Sequence, residues 1–146
     1  MEKYKVLFVC VHNSARSQVA ETFLNSLGSD NFIAESAGLE PGKMNPNVVA
    51  VMKEKGFDLT NKATQSVFEL HQQNKQYDVV ITVCDGSERC PVFPGKTKRV
   101  AWTFPDPSSF SGPQEEILEL TRVVRDQIEW QVNDFIKQAS DRNFWL

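Results

Sequence analysis

This sequence of 146 residues lacks the features of several large protein classes. No apolar run approaches the roughly 18 residues needed to span a bilayer. The first residues, MEKYKVLFVCVHNS, have neither the long apolar core nor the small-residue cleavage site of a secretory signal. Lys and Arg total 16 against 19 Asp and Glu, a formal net charge of -3, so no basic excess indicates nucleic-acid binding. We therefore expect a cytoplasmic protein that binds neither membranes nor nucleic acid.

Cysteine is also scarce, with three residues in the whole chain. An odd, small number without an export signal favours thiol chemistry in a reducing compartment over a disulfide framework. Cys84 and Cys90 are too far apart for a zinc knuckle, and no second pair exists. Repeats, low-complexity segments and linkers are absent as well. We expect one domain over residues 1–146 and no bound cofactor.

Short apolar runs alternate with amphipathic segments along the chain. The strands are predicted over residues 4–9, 31–38, 77–84 and 98–104, and the helices over 17–28, 46–55, 64–71 and 114–137. Asn45 with Pro46 predicts the start of the second helix, and Ser111 with Gln114 predicts a capping box before the last. Such alternation predicts an α/β fold: a single-domain three-layer sandwich with a central four-stranded parallel sheet and helices on both faces.

A polar loop of residues 10–17 joins the first predicted strand to the first helix. Ligands of open α/β sheets bind beyond the carboxyl ends of the strands, and a helix N-terminus offers unpaired N–H groups to an anion. Arg16 adds a planar fork for two oxygens of a tetrahedral oxyanion, and the same field favours the thiolate of Cys10, the nucleophile. The Ser17 hydroxyl could donate to that thiolate, whereas His12 should point outward. The predicted oxyanion-binding residues are Val11, His12, Asn13, Ser14, Ala15, Arg16 and Ser17.

The motif CVHNSARSQ resembles the phosphate-binding loop of the low-molecular-weight phosphotyrosine phosphatase fold. It is similar, more narrowly, to the arsenate reductases of that fold that are recycled by thioredoxin. Three further blocks look familial and occur in the same order: ESAGLEPGKMNPNVVAVMKEKGFDLTNK, VVITVCDGSERCPVFPG and WTFPDPS. The resemblance implies this fold and an arsenate or phosphate-like oxyanion as the substrate.

Asp106 follows the last predicted strand, which a parallel sheet returns to the same edge as Cys10. An oxygen leaving group near neutral pH needs a proton donor within reach. The flanking Pro105 and Pro107 stiffen this loop, although Asp-Pro is also ordinary turn punctuation. The resemblance implies that Asp106 is the general acid.

Cys84 ends a predicted strand and Cys90 follows across the segment DGSER. A phosphatase of this design needs only Cys10, so the additional pair indicates resolving thiols, although buried free cysteines are often plain core residues. The resemblance implies a relay in which Cys10 attacks arsenate, Cys84 attacks the Cys10 sulfur, and Cys90 then forms a Cys84–Cys90 disulfide. Thioredoxin or glutaredoxin would reduce that disulfide.

The chain departs from the family at several positions. Five residues separate Cys84 from Cys90 where six are usual, and Ala15 stands where many members have a cysteine. Some members hold a potassium ion through side chains that match Asn13, Glu21 and Ser36, but the fourth position, usually an aspartate, is Gln65. Glu21 could instead be a solvated helix residue.

Three other functions remain open beside the predicted arsenate reductase. One is a low-molecular-weight protein tyrosine phosphatase that uses Cys10, Arg16 and Asp106. Ser108 and Ser109 speak against it, since such phosphatases tend to have aromatic residues there. The second is a redox-responsive module that binds an oxyanion without turnover, and the third is a reductase coupled to glutathione or mycothiol.

Overall fold

The computed structural model describes residues 3–84, 93, 95 and 97–145. These residues form four strands and four α-helices. The elements are β1 (Tyr4–Cys10), α1 (Arg16–Leu27), β2 (Phe32–Gly38), α2 (Pro46–Lys53), α3 (Val67–Gln72), β3 (Val79–Thr82), β4 (Lys98–Ala101) and α4 (Gln114–Ala139). Short 3-10 turns cover Pro107–Ser109 and Arg142–Trp145. No helix in the described part of the chain is long and apolar enough to cross a membrane.

The four strands form one sheet in the order β2-β1-β3-β4, and neighbouring strands run parallel throughout. Cys10 pairs with Gly38, and Val9 pairs with Thr82. The end of β1 is thus flanked by the ends of β2 and β3, so the loops that follow these strands meet at one edge. The predicted four-stranded parallel α/β sheet is confirmed.

Successive side chains of β1 point to opposite faces of the sheet, and both faces are buried along this strand. Val6 and Phe8 join a core built with α1, α2 and α4. Leu7 and Val9 join a second core with residues of α3. All four side chains are fully buried, which explains why β1 is continuously apolar. The predicted three layers are confirmed.

The ends of several elements differ from the predictions. Asn45 caps α2 as expected, since its side chain accepts hydrogen bonds from Asn47 N and Val48 N. The capping box predicted for Ser111 and Gln114 is wrong, because Pro113 precedes α4 and no side chain caps it. β3 and β4 are shorter than predicted: the ladder closes with Trp102 N donating to Thr82 O, and the chain then leaves the sheet.

Candidate active site

The loop from Cys10 to Ser17 turns its carbonyl groups away from its centre. The segment that follows β2 supplies backbone donors for them. These bonds are Leu39 N to Cys10 O (3.2 Å), Glu40 N to Val11 O (2.8 Å), Gly42 N to His12 O (3.0 Å) and Asn45 N to Ser14 O (2.9 Å). Among the residues that the structure describes, the N–H groups of Val11, His12, Ser14 and Ala15 have no acceptor. They are therefore available to an anion at the start of α1.

Gly38 permits the close packing of this loop against β2. A Cβ atom there would lie 2.7 Å from Val11 O and 2.8 Å from Asn13 N, both backbone atoms that cannot move aside easily. Asn13 itself has a φ of 54°, in the left-handed region that asparagine tolerates better than most residues. The loop is thus shaped by a residue on the neighbouring strand, which sequence reasoning missed.

The Cys10 thiol is buried and hydrogen-bonded from two sides. Asn13 N donates to Cys10 Sγ (3.2 Å), and Ser17 Oγ lies 2.9 Å from the same sulfur. Because Asn13 Nδ2 donates to Ser17 Oγ (2.9 Å), the serine keeps its hydroxyl proton for the sulfur. A thiolate would accept both bonds, so the contacts favour the nucleophilic form.

Arg16 links the anion loop to the segment beyond β4. Its side chain is 3% exposed, its Nη1 donates to Phe104 O (3.1 Å), and its Nη2 lies 3.7 Å from Asp106 Oδ2. The Asp106 side chain is 23% exposed, and its Oδ1 accepts a bond from Ser108 N (3.0 Å). The predicted nucleophile loop, cationic clamp and acid are therefore brought to one place.

The loop that carries Asp106 is anchored on both sides. Trp102 and Phe104 are buried in the core, where the Trp102 ring also contacts the Phe8 ring. Asn45 Nδ2 donates to Ser108 Oγ (2.9 Å), which ties the same loop to the start of α2. The position of the carboxyl group is thus fixed from the core and from a helix N-terminus.

Cys84 lies just past the end of β3, the strand that pairs with β1, which carries the nucleophile. Val83 N donates to Val9 O (2.9 Å), so Cys84 follows the point where β3 runs beside the end of β1. Cys84 and Cys10 are both buried and belong to one cluster of the core. Cys90, its predicted partner in the relay, lies outside the described residues.

The remaining predicted residues have separate environments. His12 is exposed, as expected, and its Nδ1 lies 2.9 Å from Glu40 O. Glu21 is not a solvated helix residue: it is 5% exposed and accepts a bond from Ser36 Oγ (3.0 Å). Its second oxygen is paired with Lys62, a residue that sequence reasoning missed. In the described ranges, no group of three or more His, Cys, Asp or Glu side chains could hold a metal ion.

Known proteins resemble this chain in sequence and in fold. The model of the low molecular weight phosphotyrosine protein phosphatase family matches residues 5–143. The chain belongs to this family. Within it, the arsenate reductase of Bacillus subtilis (strain 168) is 37% identical over 136 residues, which cover 92% of this chain and 96% of the relative.

Solved arsenate reductases share the fold of this phosphatase-family chain. One structure, in the phosphate binding state, is 32% identical with a TM-score of 0.75 and covers 92% of this chain and 98% of that one. A thioredoxin-dependent arsenate reductase from Corynebacterium glutamicum is 26% identical with a TM-score of 0.65, covering 95% of this chain and 64% of that one. The predicted family and fold are confirmed.

Proposed function

We propose that this phosphatase-family protein is an arsenate reductase, which converts arsenate to arsenite with a thiol nucleophile and a disulfide relay. The observation that carries the proposal is that Cys84 lies in the buried cluster of Cys10, while Arg16, in the loop of Cys10, lies 3.7 Å from Asp106. One guanidinium there can hold the oxyanion beside both the nucleophile and the acid. We further infer that residues 1–146 act as one domain and that the cytoplasm is the compartment, since the relay requires reduced thiols.

In the first step the Cys10 thiolate bonds to arsenic. One As–O bond breaks, and the departing oxygen leaves as water after it takes a proton from Asp106. The loop N–H groups and Arg16 bind the remaining oxygens and balance their charge. The product is a thioester of arsenic(V) on Cys10, and no electrons have yet been transferred.

In the second step the Cys84 thiolate attacks the Cys10 sulfur. The S–As bond breaks, its electron pair stays on arsenic, and arsenite leaves as arsenic(V) becomes arsenic(III). Two thiols have then become a Cys10–Cys84 disulfide, so the electrons balance. Cys84 is supported in this role because it follows β3 beside the end of β1, in the same buried cluster as Cys10.

In the third step Cys90 attacks Cys84, which frees Cys10 and leaves a Cys84–Cys90 disulfide. Thiol–disulfide exchange with a dithiol protein would then return the chain to its reduced form. We assign that role to a thioredoxin, or to a glutaredoxin, because the Corynebacterium glutamicum relative is a thioredoxin-dependent arsenate reductase. Binding of phosphate by another relative supports a tetrahedral oxyanion as the ligand.

The test is arsenate turnover with thioredoxin, thioredoxin reductase and NADPH. We expect Cys10→Ser, Cys84→Ser and Cys90→Ser each to abolish multiple turnover, since each thiol takes part in the relay. The exchange of thioredoxin for glutaredoxin or for low-molecular-weight thiols identifies the reductant. Full activity in both Cys84→Ser and Cys90→Ser would refute the relay.

A phosphatase is the second candidate, and the match to a phosphatase family model favours it. Cys10, Arg16 and Asp106 suffice for attack on phosphorus and for protonation of an aryl leaving group. Brisk hydrolysis of an aryl phosphate without arsenate reduction would establish it. Hydrolysis alongside arsenate reduction would instead be a side activity of the same nucleophile.

A further inference from the structure

A network of mostly buried polar side chains supports the nucleophile loop from behind. Its members are Asn13, Gln18, Glu21, Ser36, Lys62 and Gln65. Glu21 is its only carboxylate, and it is almost fully buried on α1. An ionised carboxylate in such a place needs a compensating positive charge, because its desolvation is otherwise costly.

The compensating charge comes from the chain itself. Lys62 Nζ contacts Glu21 Oε2, while Ser36 Oγ donates to Glu21 Oε1 (3.0 Å). The lysine side chain is 38% exposed and that of Glu21 is 7% exposed, so the lysine reaches inward from the surface to a buried partner. Both residues line one surface cleft, so small cations in solution have access to this position.

The side-chain oxygen of Asn13 is also engaged. Asn13 Oδ1 accepts from Gln18 Nε2 (3.1 Å) and from Gln65 N (3.0 Å), which uses both of its lone pairs. Gln65 Nε2 donates to Ser36 O (2.8 Å), where a carboxylate would only accept. Gln18 Oε1 is the one buried side-chain oxygen of the network without a hydrogen bond in the described part of the chain. A potassium ion needs several oxygen atoms that face it, so these residues do not fit one.

We propose that Lys62 is a positioning residue whose ammonium group takes the place of a bound metal cation behind the loop. The Lys62 ammonium group pairs with the Glu21 carboxylate, which accepts a hydrogen bond from Ser36 Oγ. Gln65 donates from its side chain to Ser36 O and from its backbone N to Asn13 Oδ1. Asn13 then donates to Ser17, whose hydroxyl contacts Cys10 Sγ. Lys62 thereby fixes the hydrogen bonds that favour the Cys10 thiolate. The inference rests on the proposed function only in that Cys10 is the nucleophile.

The test compares the wild type with Lys62→Ala, Lys62→Arg and Lys55→Ala. Lys55 is a matched control, because it forms an ion pair with Glu129 at 3.2 Å on another part of the surface. Two quantities are measured in potassium chloride, methylammonium chloride and choline chloride at equal ionic strength. They are the thermal midpoint and the rate of iodoacetamide alkylation of the Cys10 peptide, followed by mass spectrometry.

We expect the wild type and Lys55→Ala to respond equally to the three salts. Lys62→Ala should alkylate roughly tenfold more slowly in choline chloride, the scale of losing a partner that orients a reactive group. Methylammonium should restore both its alkylation rate and its thermal midpoint, since it supplies the missing ammonium group beside Glu21, whereas potassium should restore less because these residues do not form its ligand set. Lys62→Arg should keep most of the wild-type rate in choline chloride.

Two results would overturn the proposal. One is a wild type whose alkylation rate or thermal midpoint depends specifically on potassium, since a metal ion would then already be needed. The other is a Lys62→Ala variant whose alkylation rate and thermal midpoint in choline chloride match those of Lys55→Ala, or are the same in choline chloride as in methylammonium chloride. If Lys62→Ala does not fold, the alkylation rates and thermal midpoints of the wild type and Lys62→Arg in the three salts still test the proposal. Neither readout requires arsenate reduction, so failure of the proposed function is scored separately.

Discussion

Arg16 Nη2 lies 3.7 Å from Asp106 Oδ2, although Arg16 begins α1 and Asp106 follows β4. The contact crosses the edge of the sheet at which β1 and β4 both end. Because the guanidinium is buried and also bonded to Phe104 O, its position is fixed before any anion binds. A clamp that is held in place loses little entropy when it binds the oxyanion.

Asp106→Asn isolates proton donation from the fold of its loop. An asparagine can still accept the bond from Ser108 N, so the turn should persist. We expect kcat for arsenate reduction to fall by roughly 10²–10⁴, the usual contribution of general acid catalysis, with a smaller change in KM. Asp58→Asn is the control, because Asp58 accepts a similar bond from Thr60 N on the surface. An unchanged kcat in Asp106→Asn would remove Asp106 from the mechanism.

Ser17→Ala removes the hydroxyl that contacts Cys10 Sγ at 2.9 Å. Hydrogen bonds to charged groups contribute about 1.5–3 kcal/mol, so we expect Cys10 to be alkylated roughly ten- to a hundredfold more slowly near neutral pH. Ser26→Ala, an exposed position on the same helix, serves as the control. If both variants react at the wild-type rate, Ser17 does not stabilise the thiolate.

Gly38→Ala tests the close approach of the loop to β2. The added Cβ would lie 2.7 Å from Val11 O, whereas at Gly42 the nearest atom would be His12 Cβ at 3.8 Å. We expect Gly38→Ala to lower the free energy of unfolding by about 1–3 kcal/mol through overpacking. Phosphate affinity by calorimetry should fall as well, since the loop N–H groups move. Gly42→Ala should change neither quantity, and equal behaviour of the two variants would contradict the packing argument.

Glu54, just after α2, forms ion pairs with Arg122 and Arg125 of α4. The stability that these pairs contribute should depend on pH. Hydrogen bonds from Arg122 and then from Arg125 hold the pKa of Glu54 below its usual value of 4.5. The stabilisation is therefore fully present above about pH 4.5 and is lost as the pH falls through the lower pKa of the folded state. Glu54→Gln should unfold at lower urea concentration than the wild type near pH 7, with a smaller difference at about pH 3.

The control for these ion pairs is Glu119→Gln, whose carboxylate is more exposed and, among the residues that the structure describes, pairs with Arg122 alone. It should have little effect at either pH, since exposed ion pairs contribute little. A Glu54→Gln difference that does not shrink in acid would mean that charge is not the source of the stabilisation.

Local pattern was sufficient to place Cys10, Arg16 and Asp106, because Cys10 ends an apolar strand, the other two each follow one, and parallel pairing fixes the direction of these strands. The roles of Gly38 and Lys62 could not be obtained in this way. Gly38 matters through the loop packed on it from another strand, and Lys62 through a carboxylate on α1. Such contacts join segments far apart in sequence, and neither residue stands in a pattern that distinguishes it from ordinary turn and surface residues.

The local sequence pattern also did not predict where the strands end. The alternation in KRVAWTF continues past the last ladder bond, so Phe104 was predicted within the strand. The structure ends β4 at Ala101 and uses Trp102 and Phe104 as core anchors for the Asp106 loop instead. Apolar alternation reports burial, and burial continues here after the hydrogen bonds of the sheet stop.

If the thiols of this one chain reduce arsenate, they must do so in a single turnover without any other reductant. Fully reduced protein is mixed with excess arsenate without any reductase, and arsenite and free thiols are counted. We expect one arsenite per chain and a fall from three free thiols to one, because Cys84 and Cys90 end as a disulfide. No arsenite, with all three thiols retained, would contradict this expectation.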